Sequence, residues 1–239
     1  MKNQPSHTLE MDREYFNRYE QGYSPYTPGD IECLLADLLP AALARKINWL
    51  CEVGSADGQI SFELLKRMPQ APLALGIDIA ERVLRLYPFH RLCGDAFKLP
   101  LADSTVDLVC YPATLHHLFP FEYSLAELNR VLAPNGLVYF LEPNYFHPQR
   151  RFFMSNRFLY HLYRQANDTP INPERLKDVL ESMGIEVLQL RYINLHFKSP
   201  GFLQSIQNFI SGLPCPAWLE RIVMPWFIMI GVKRDTHAR

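Results

Sequence analysis

Three acidic residues stand at the ends of short apolar runs, and they are the strongest chemical signal in the sequence. Glu52, Asp78 and Asp95 each close or directly follow such a run. An ionised carboxylate only accepts hydrogen bonds, and it can accept them at both oxygens. Asp78 therefore suits two ribose hydroxyls, and Asp95 suits an exocyclic amine such as that of adenine. Together the three acids predict a site for an adenosine-like ligand.

A glycine-containing turn follows the first of these runs. It reads Gly54-Ser55-Ala56-Asp57-Gly58, and glycine allows positive φ and close approach of a ligand to the backbone. A dinucleotide-binding turn has the spacing GxGxxG. That spacing is absent here, and Asp57 would repel a pyrophosphate, so a nucleotide oxidoreductase is disfavoured. A cationic or zwitterionic ligand without phosphate is favoured, with Ile79, Ala96 and Phe97 as apolar contacts for a purine ring.

Three histidines are candidate general bases. Each could take a proton from a second molecule, the acceptor, if that molecule reacts beside the ligand and must lose a proton. His116 and His117 follow the fourth predicted strand, and His147 follows the fifth. Capping or packing of the loop is the alternative for the first two, and a solvated loop position is the alternative for His147. Ala113, at the end of the fourth strand, is expected beside the ligand.

The first 30 residues are polar and rich in tyrosine. We expect them to form an arm or lid, in which Tyr19 contacts the cofactor and Tyr23 and Tyr26 contact the acceptor. Ordinary packing of the arm on the domain is the alternative. Asp30 is expected to cap a helix that runs to about Leu39.

Acceptor contacts are also predicted beyond the fifth strand, from Asn144, Arg150 and Arg151. No acid occurs between Glu142 and Asp168, so this is the most basic stretch of the chain. It suits an anionic or carrier-linked acceptor, or an anionic membrane surface. A cap helix with a solvated basic edge is the alternative.

The elements that position these residues alternate between strand and helix. Short apolar strands are predicted at 47–53, 73–78, 90–96, 106–112 and 137–143, the last after the turn Pro134-Asn135-Gly136. Such alternation predicts a parallel sheet. The later strands 185–195 and 225–234 are expected to close it, with the last strand antiparallel.

Bulk composition narrows the class of protein. The chain has 239 residues and a formal net charge of −1, so nothing global suggests a nucleic-acid partner. Its five cysteines show no CxxC spacing, and we expect free thiols and no metal site. Without a recognisable apolar leader, we expect a cytoplasmic protein. Oligomeric state stays open.

Residues 47–144 resemble the class I S-adenosylmethionine-dependent methyltransferases, in the type 11 group that includes ubiquinone- and menaquinone-type C-methyltransferases. CEVGSADGQ resembles the first motif of the family, and GIDIA resembles its ribose motif. GDAFKLPLADSTVDLVCYPATLHHL resembles the adenine-site motif, and LAELNRVLAPNGLVYFLEPN resembles the following helix and strand. The resemblance covers about two-fifths of the chain.

This resemblance implies S-adenosylmethionine as cofactor, with Glu52, Gly54, Ser55 and Gly58 around its methionine part. It likewise implies Asp78 on the ribose and Asp95 near the adenine. Ala56 replaces the usual middle glycine of the family, and its methyl group can be tolerated if φ there is negative.

The implied fold is α/β: a Rossmann-like, seven-stranded, mostly parallel sheet with the last strand antiparallel, helices on both faces and a small cap insertion. We expect an arm over residues 1–30 and a methyltransferase domain over 31–239, with the cap at about 145–171. The implied activity is methyl transfer to a small acceptor, which can be hydrophobic or linked to a carrier or lipid. A non-catalytic module that binds S-adenosylmethionine is the alternative, and the acceptor atom stays open.

Overall fold

The computed structural model describes residues 6–23, 25–148, 151–152, 169, 171–196, 205, 209 and 216–235. Within these ranges the strands are β1 Trp49–Val53, β2 Leu73–Asp78, β3 His90–Cys93, β4 Val106–Pro112, β5 Leu132–Pro143, β6 Ile185–Ile193 and β7 Trp226–Lys233. The helices are α1 Ser6–Phe16, α2 Pro28–Leu43, α3 Gln59–Leu65, α4 Glu81–Leu84, α5 Phe121–Val131, α6 Pro173–Ser182 and α7 Ala217–Val223, and a 3-10 turn covers Leu115–His117.

The seven strands form one sheet in the order β3-β2-β1-β4-β5-β7-β6. The pairs β1–β2, β1–β4, β2–β3 and β4–β5 are parallel, and β7 runs antiparallel to both of its neighbours. The predicted fold class is therefore confirmed. The direction of strand progression reverses between β1 and β4, and ligands of open α/β sheets bind beside such a reversal, at the carboxyl ends of the strands.

Helices cover both faces of the sheet because alternate residues of each strand point to opposite sides. Along β4, Leu108 and Cys110 pack in the apolar cluster that contains α2 and α3. Their neighbours Val109 and Tyr111 pack in the other cluster, with α5 and α6. The two layers hold the strand ends rigidly in relation to one another.

The start of α2 differs from the sequence prediction. Thr27, not Asp30, is the N-cap, and its Oγ1 accepts a hydrogen bond from the Asp30 amide at 3.1 Å. Asp30 Oδ2 accepts in return from the Thr27 amide at 2.9 Å, which completes a capping box. Asp30 is therefore the third helical residue, and the helix continues to Leu43.

The beginning of β5 also differs. Leu132 already pairs with Val106, and the pairing resumes only at Leu108 with Leu137. Residues 133–136 therefore form a bulge inside the strand, and this bulge includes the turn Pro134-Asn135-Gly136 that was predicted before it. Asn135 takes a φ of +62° there, a conformation that asparagine tolerates better than most residues.

The cap insertion predicted over 145–171 lies mostly outside the described residues. Among the helices that the structure describes, none is long and apolar enough to cross a membrane.

Candidate functional site

A cavity of about 910 Å³, measured with its open mouth, lies at the carboxyl ends of β1, β2 and β4. The structure brings the following sequence-predicted residues together in its lining: Glu52, Gly54, Ser55, Asp78, Ile79, Asp95, Ala96, Ala113, Tyr23, Tyr26 and His117. The strand-end acids therefore do converge on one cleft beside the glycine turn.

Other predicted residues lie outside this lining. They are Gly58, Phe97, Tyr19, Asn144, His116, His147 and Arg151. Arg150 lies outside the described residues.

Glu52 lies at the carboxyl end of β1 and is almost completely buried. Its Oε2 accepts hydrogen bonds from the amide and the hydroxyl of Ser61, in α3. Burial raises the pKa of Glu52 to about 8, against the opposing effect of these two hydrogen bonds, and the nearby Asp57 and Asp78 raise it further. A positive charge in the cavity would favour the ionised form.

Asp78 ends β2, and backbone amides hold its carboxylate. Oδ2 accepts from the Ala56 amide at 2.9 Å, and Oδ1 accepts from the Ala80 amide at 2.8 Å. Burial raises the pKa of Asp78, and the backbone hydrogen bonds oppose that rise. Because each carboxylate oxygen has two lone pairs, the fixed group can still accept from two hydroxyls of a ligand.

Asp95 follows β3, and its Oδ1 accepts from the Phe97 amide at 2.8 Å. This bond fixes the turn after the strand, and Asp95 and Ala96 line the cavity. The Phe97 side chain packs instead against the apolar cluster on the α5 face of the sheet. Of the two residues predicted to contact a purine in this turn, the structure brings only Ala96 to the cavity.

The glycine turn has positive φ at three positions: Gly54 (+67°), Ala56 (+46°) and Gly58 (+76°). The sequence analysis expected Ala56 to be tolerated if its φ were negative. The observed φ is positive, so that condition is not met. Ala113, on the facing strand end, has a φ of +54°. Strained backbone of this kind concentrates at ligand sites, and both alanines line the cavity.

Replacing Ala56 by glycine should relieve this strain. A left-handed conformation costs a residue with a Cβ about 1–2 kcal/mol, and glycine loses about 0.4–1 kcal/mol through its freer unfolded state. We expect Ala56→Gly to leave the free energy of unfolding unchanged or to raise it by up to about 1.6 kcal/mol. Urea unfolding measures it.

The matched control is Ala36→Gly, at an exposed position inside α2. Glycine in a helix interior costs about 1 kcal/mol, so this variant should lose stability. An Ala56→Gly variant destabilised as much as Ala36→Gly would contradict the strain assigned to the turn.

The N-terminal arm supplies the wall of the cavity opposite the sheet. Asp12 and Phe16 of α1, together with Tyr23, Pro25 and Tyr26, line it. The arm is tied down where the Tyr23 amide donates to Asp57 Oδ2 at 3.0 Å. Asn17 also accepts from the Arg82 amide at 2.9 Å.

Tyr19 belongs to an aromatic cluster in this arm, and its hydroxyl lies 2.9 Å from that of Tyr15. The Tyr19 and Tyr23 rings meet edge to face, with their centroids 4.7 Å apart. Only Tyr23 of this pair reaches the lining, so Tyr19 lies behind the wall.

His116 and His117 form part of the 3-10 turn after β4, but they face different surroundings. His117 lines the cavity, with its ring centroid 5.3 Å from that of Phe16. His116 is buried, and its Nδ1 lies 2.7 Å from Glu142 Oε2 at the end of β5.

Asn144 and His147 are both buried away from the cavity lining. The Asn144 side-chain amide donates to the carbonyls of Arg221 and Met224, both at 2.8 Å, and its Oδ1 accepts from the Phe146 amide. These bonds join β5 to the segment before β7. The solvated position considered for His147 is not observed.

The sequence analysis missed several lining residues: Asp12, Phe16, Pro25, Gln59, Thr114 and Leu118. Asp12 gave no signal, because one acid in a polar helical segment is ordinary. Thr114 and Leu118 flank the two histidines, so the length of the turn after β4 could have suggested them.

The cavity is strongly acidic. Its lining contains the carboxylates of Asp12, Glu52, Asp57, Asp78 and Asp95. Among the described lining residues there is no lysine or arginine. Such a site favours a ligand with positive charge and many hydrogen-bond donors, and it disfavours a pyrophosphate.

Comparisons with known proteins agree with this geometry. A family model described as a methyltransferase domain matches residues 51–140. The malonyl-[acyl-carrier protein] O-methyltransferase of Marinomonas sp. is 31% identical over 134 residues, which are 52% of this chain and 48% of that protein. The ubiquinone/menaquinone biosynthesis C-methyltransferase UbiE of Dinoroseobacter shibae is 33% identical over 119 residues, 44% of each chain. The chain thus spans about half the length, or less, of these relatives.

Solved structures share the fold over more of the chain. The magnesium protoporphyrin IX methyltransferase of Synechocystis PCC 6803, solved with bound SAH, has a TM-score of 0.63 and 13% identity, over 95% of this chain and 100% of that one. A SAM-dependent methyltransferase from Archaeoglobus fulgidus has a TM-score of 0.63 and 17% identity, over 92% of this chain and 99% of that one.

The chain has a Rossmann-like fold that solved methyltransferases share, with an acidic cavity at the carboxyl ends of its strands. Residues 51–140 are similar to that methyltransferase-domain model, and their sequence motifs resemble the type 11 group of class I S-adenosylmethionine-dependent methyltransferases.

Proposed function

We propose that the chain binds S-adenosylmethionine in this cavity and transfers its methyl group to a small acceptor. The observation that carries the proposal is the acidic lining, which has five carboxylates and, among the described residues, no lysine or arginine. The residues fit the cofactor, because a sulfonium and an ammonium group suit an acidic site and a pyrophosphate does not.

Each part of the cofactor has matching residues. Asp78 accepts from the ribose hydroxyls, and Asp95 accepts from the adenine amine, with Ile79 and Ala96 against the purine. Glu52, Gly54 and Ser55 surround the methionine part. Gly58 acts indirectly by shaping the turn, since a Cβ there would lie 2.4 Å from the Tyr87 ring.

The arm over residues 1–30 acts as the lid, and the remaining chain forms the methyltransferase domain with its cap. Tyr23 and Tyr26 serve the acceptor side, and Phe16 and Leu118 add apolar surface there. This lining supports an uncharged or hydrophobic acceptor. The names of two relatives, a malonyl-[acyl-carrier protein] O-methyltransferase and a ubiquinone/menaquinone biosynthesis C-methyltransferase, support including a carrier- or lipid-linked acceptor in the proposal.

When bound, S-adenosylmethionine supplies a methyl group on a sulfonium, which an acceptor's electron pair attacks as the carbon–sulfur bond breaks. The chain's own residues hold the two molecules in line, and such positioning can contribute up to about 7–11 kcal/mol. The lid and the apolar wall exclude water from the reacting groups.

Thermal unfolding with candidate ligands tests the proposal. A ligand at 100 times its Kd adds about 2.7 kcal/mol, which in a chain of this size raises Tm by roughly 5–10 °C. We expect S-adenosylmethionine and S-adenosylhomocysteine to raise Tm by that amount and NAD to leave it unchanged. A shift with NAD and none with the other two would overturn the proposal.

A methyl-transfer assay distinguishes an enzyme from a non-catalytic module that only binds S-adenosylmethionine. The full chain is incubated with methyl-labelled S-adenosylmethionine and the small molecules that copurify with it, and the products are analysed by mass spectrometry. A methylated product supports the enzyme, and binding without transfer to any of these molecules or to a broad acceptor panel would favour the module.

A further inference from the structure

We propose that Glu142 and His116 are positioning residues that fix His117 at the cavity as the base for the acceptor. The inference rests on the proposed methyl transfer, since it concerns the same site. It assigns distinct roles to two adjacent histidines and adds a residue, Glu142, that does not itself line the cavity.

Glu142 anchors the whole turn after β4. Its side chain is fully buried at the end of β5. Its Oε1 accepts from the amides of Thr114 and Leu115, at 3.1 and 2.7 Å, and its Oε2 accepts from the His116 amide at 3.2 Å. One carboxylate thereby fixes the three backbone amides that lead into His117.

The same carboxylate fixes the imidazole of His116. Where Glu142 is ionised it can only accept, so the Nδ1 atom of His116, 2.7 Å from Oε2, then carries the proton that it donates. This contact selects one tautomer and one ring orientation.

His117 is then held from two sides. Its ring centroid lies 4.0 Å from that of His116, at an interplanar angle of 42°. On the other side it meets Phe16 of the arm edge to face, at 5.3 Å. His117 is therefore in contact with His116, in the turn that Glu142 of β5 anchors, and with Phe16 of the N-terminal arm.

The ionisable groups around His117 come from several elements. Glu142 belongs to β5 and Glu52 to β1, and the arm brings Asp12 and Tyr23 to the same cavity as His117. Burial raises the pKa of Glu142 to about 8, and the backbone amides and the charge of His117 act in the opposite direction. Glu142 and His117 therefore stabilise each other's charged forms.

The chemical consequence concerns the proton of the acceptor. As the nucleophilic atom is methylated, its proton passes to a ring nitrogen of His117, and the resulting imidazolium is stabilised by the Glu142 charge. His117 returns the proton to solvent when the lid opens. Neither His116 nor Glu142 touches the acceptor.

Histidine NMR on the full chain with S-adenosylhomocysteine tests this arrangement without an identified acceptor. Long-range proton–nitrogen spectra of nitrogen-labelled histidine report the tautomer and titration of each ring. In the wild type, we expect the contact with Glu142 to hold His116 in one tautomer, with the proton on Nδ1 once Glu142 is ionised. In Glu142→Gln, we expect His116 to lose that fixed tautomer, and the proton affinity of His117 to fall at least about threefold, since a nearby negative charge is lost.

The matched control is Glu127→Gln in α5, whose carboxylate also accepts from a backbone amide, that of Leu99, and pairs with Arg130. It should leave both histidine signals unchanged. His116→Gln is a second route, which keeps Glu142 and should also change the titration of His117. Calorimetric binding of S-adenosylhomocysteine is measured for each variant.

Unchanged His116 tautomer and His117 titration in folded Glu142→Gln would overturn the positioning role, as would a wild-type His116 with no proton on Nδ1 once Glu142 is ionised. A wild type that does not bind S-adenosylhomocysteine would instead count against the proposed function. The two failures are therefore distinguishable.

Discussion

Replacing Asp78 by alanine is expected to weaken binding of S-adenosylhomocysteine by at least about 100-fold, because two hydrogen bonds to a charged group contribute about 1.5–3 kcal/mol each. Both oxygens of this carboxylate are fixed by backbone amides, those of Ala56 and Ala80. It is therefore oriented before a ligand arrives, and ribose hydroxyls meet it without reorganisation. Isothermal titration calorimetry gives the Kd directly.

Loss of Asp78 also removes the acceptor of two backbone amides, so a matched control must do the same elsewhere. Asp107 at the start of β4 accepts hydrogen bonds from the amides of Asn48 and Trp49, at 2.8 and 3.0 Å. It lies at the amino ends of the strands, away from the cavity. Asp107→Ala should lower stability without changing the Kd. Equal loss of binding in the two variants would mean that Asp78 acts through the fold and not through the ligand.

The strands of the sheet center were predictable because their chemistry is local. LALGID and VDLVCYP are mostly apolar runs bounded by turn residues, and β2 and β4 occupy the predicted residues. The start of α2 was missed although its signal is local, since Thr27 and Asp30 form a capping box within four residues. The bulge in β5 depends on a partner strand, because Leu132 pairs with Val106 before residues 133–136.

The cavity likewise has residues that the sequence predicted and residues that it did not. The acids Glu52, Asp78 and Asp95 were predictable, because strand ends converge in a parallel sheet whatever the loops do. Asp12 and Phe16 reach the cavity only through the docking of the arm, a tertiary contact without a sequence period. The sequence could not show which of His116 and His117 faces the cavity, because the partner of His116, Glu142, lies 26 residues away along the chain.

Gly54→Ala is expected to lower the free energy of unfolding by about 2–5 kcal/mol, as the sum of about 1–2 for the left-handed conformation and about 1–3 for overpacking. A Cβ at Gly54 would lie 2.2 Å from Thr114 Oγ1 and 2.3 Å from its Cγ2. The backbone there has a φ of +67°, so the new methyl group is both strained and crowded. Urea unfolding measures the loss.

Gly184→Ala separates the two contributions. Gly184 follows α6 with a φ of +81°, and a Cβ there would meet nothing within 4 Å. This control should lose only the conformational part, about 1–2 kcal/mol. Combining Gly54→Ala with Thr114→Gly should recover the part due to crowding but not the strain.

Equal losses for Gly54→Ala and Gly184→Ala would show that the turn can shift away from Thr114. The glycine turn and the turn after β4 would then be independent units. The expected unequal losses would instead mean that the two turns pack too closely to move separately. Since Glu142 anchors the turn that carries Thr114, the glycine turn and His117, the proposed base, would then be held in one rigid arrangement, as the proposed in-line transfer requires.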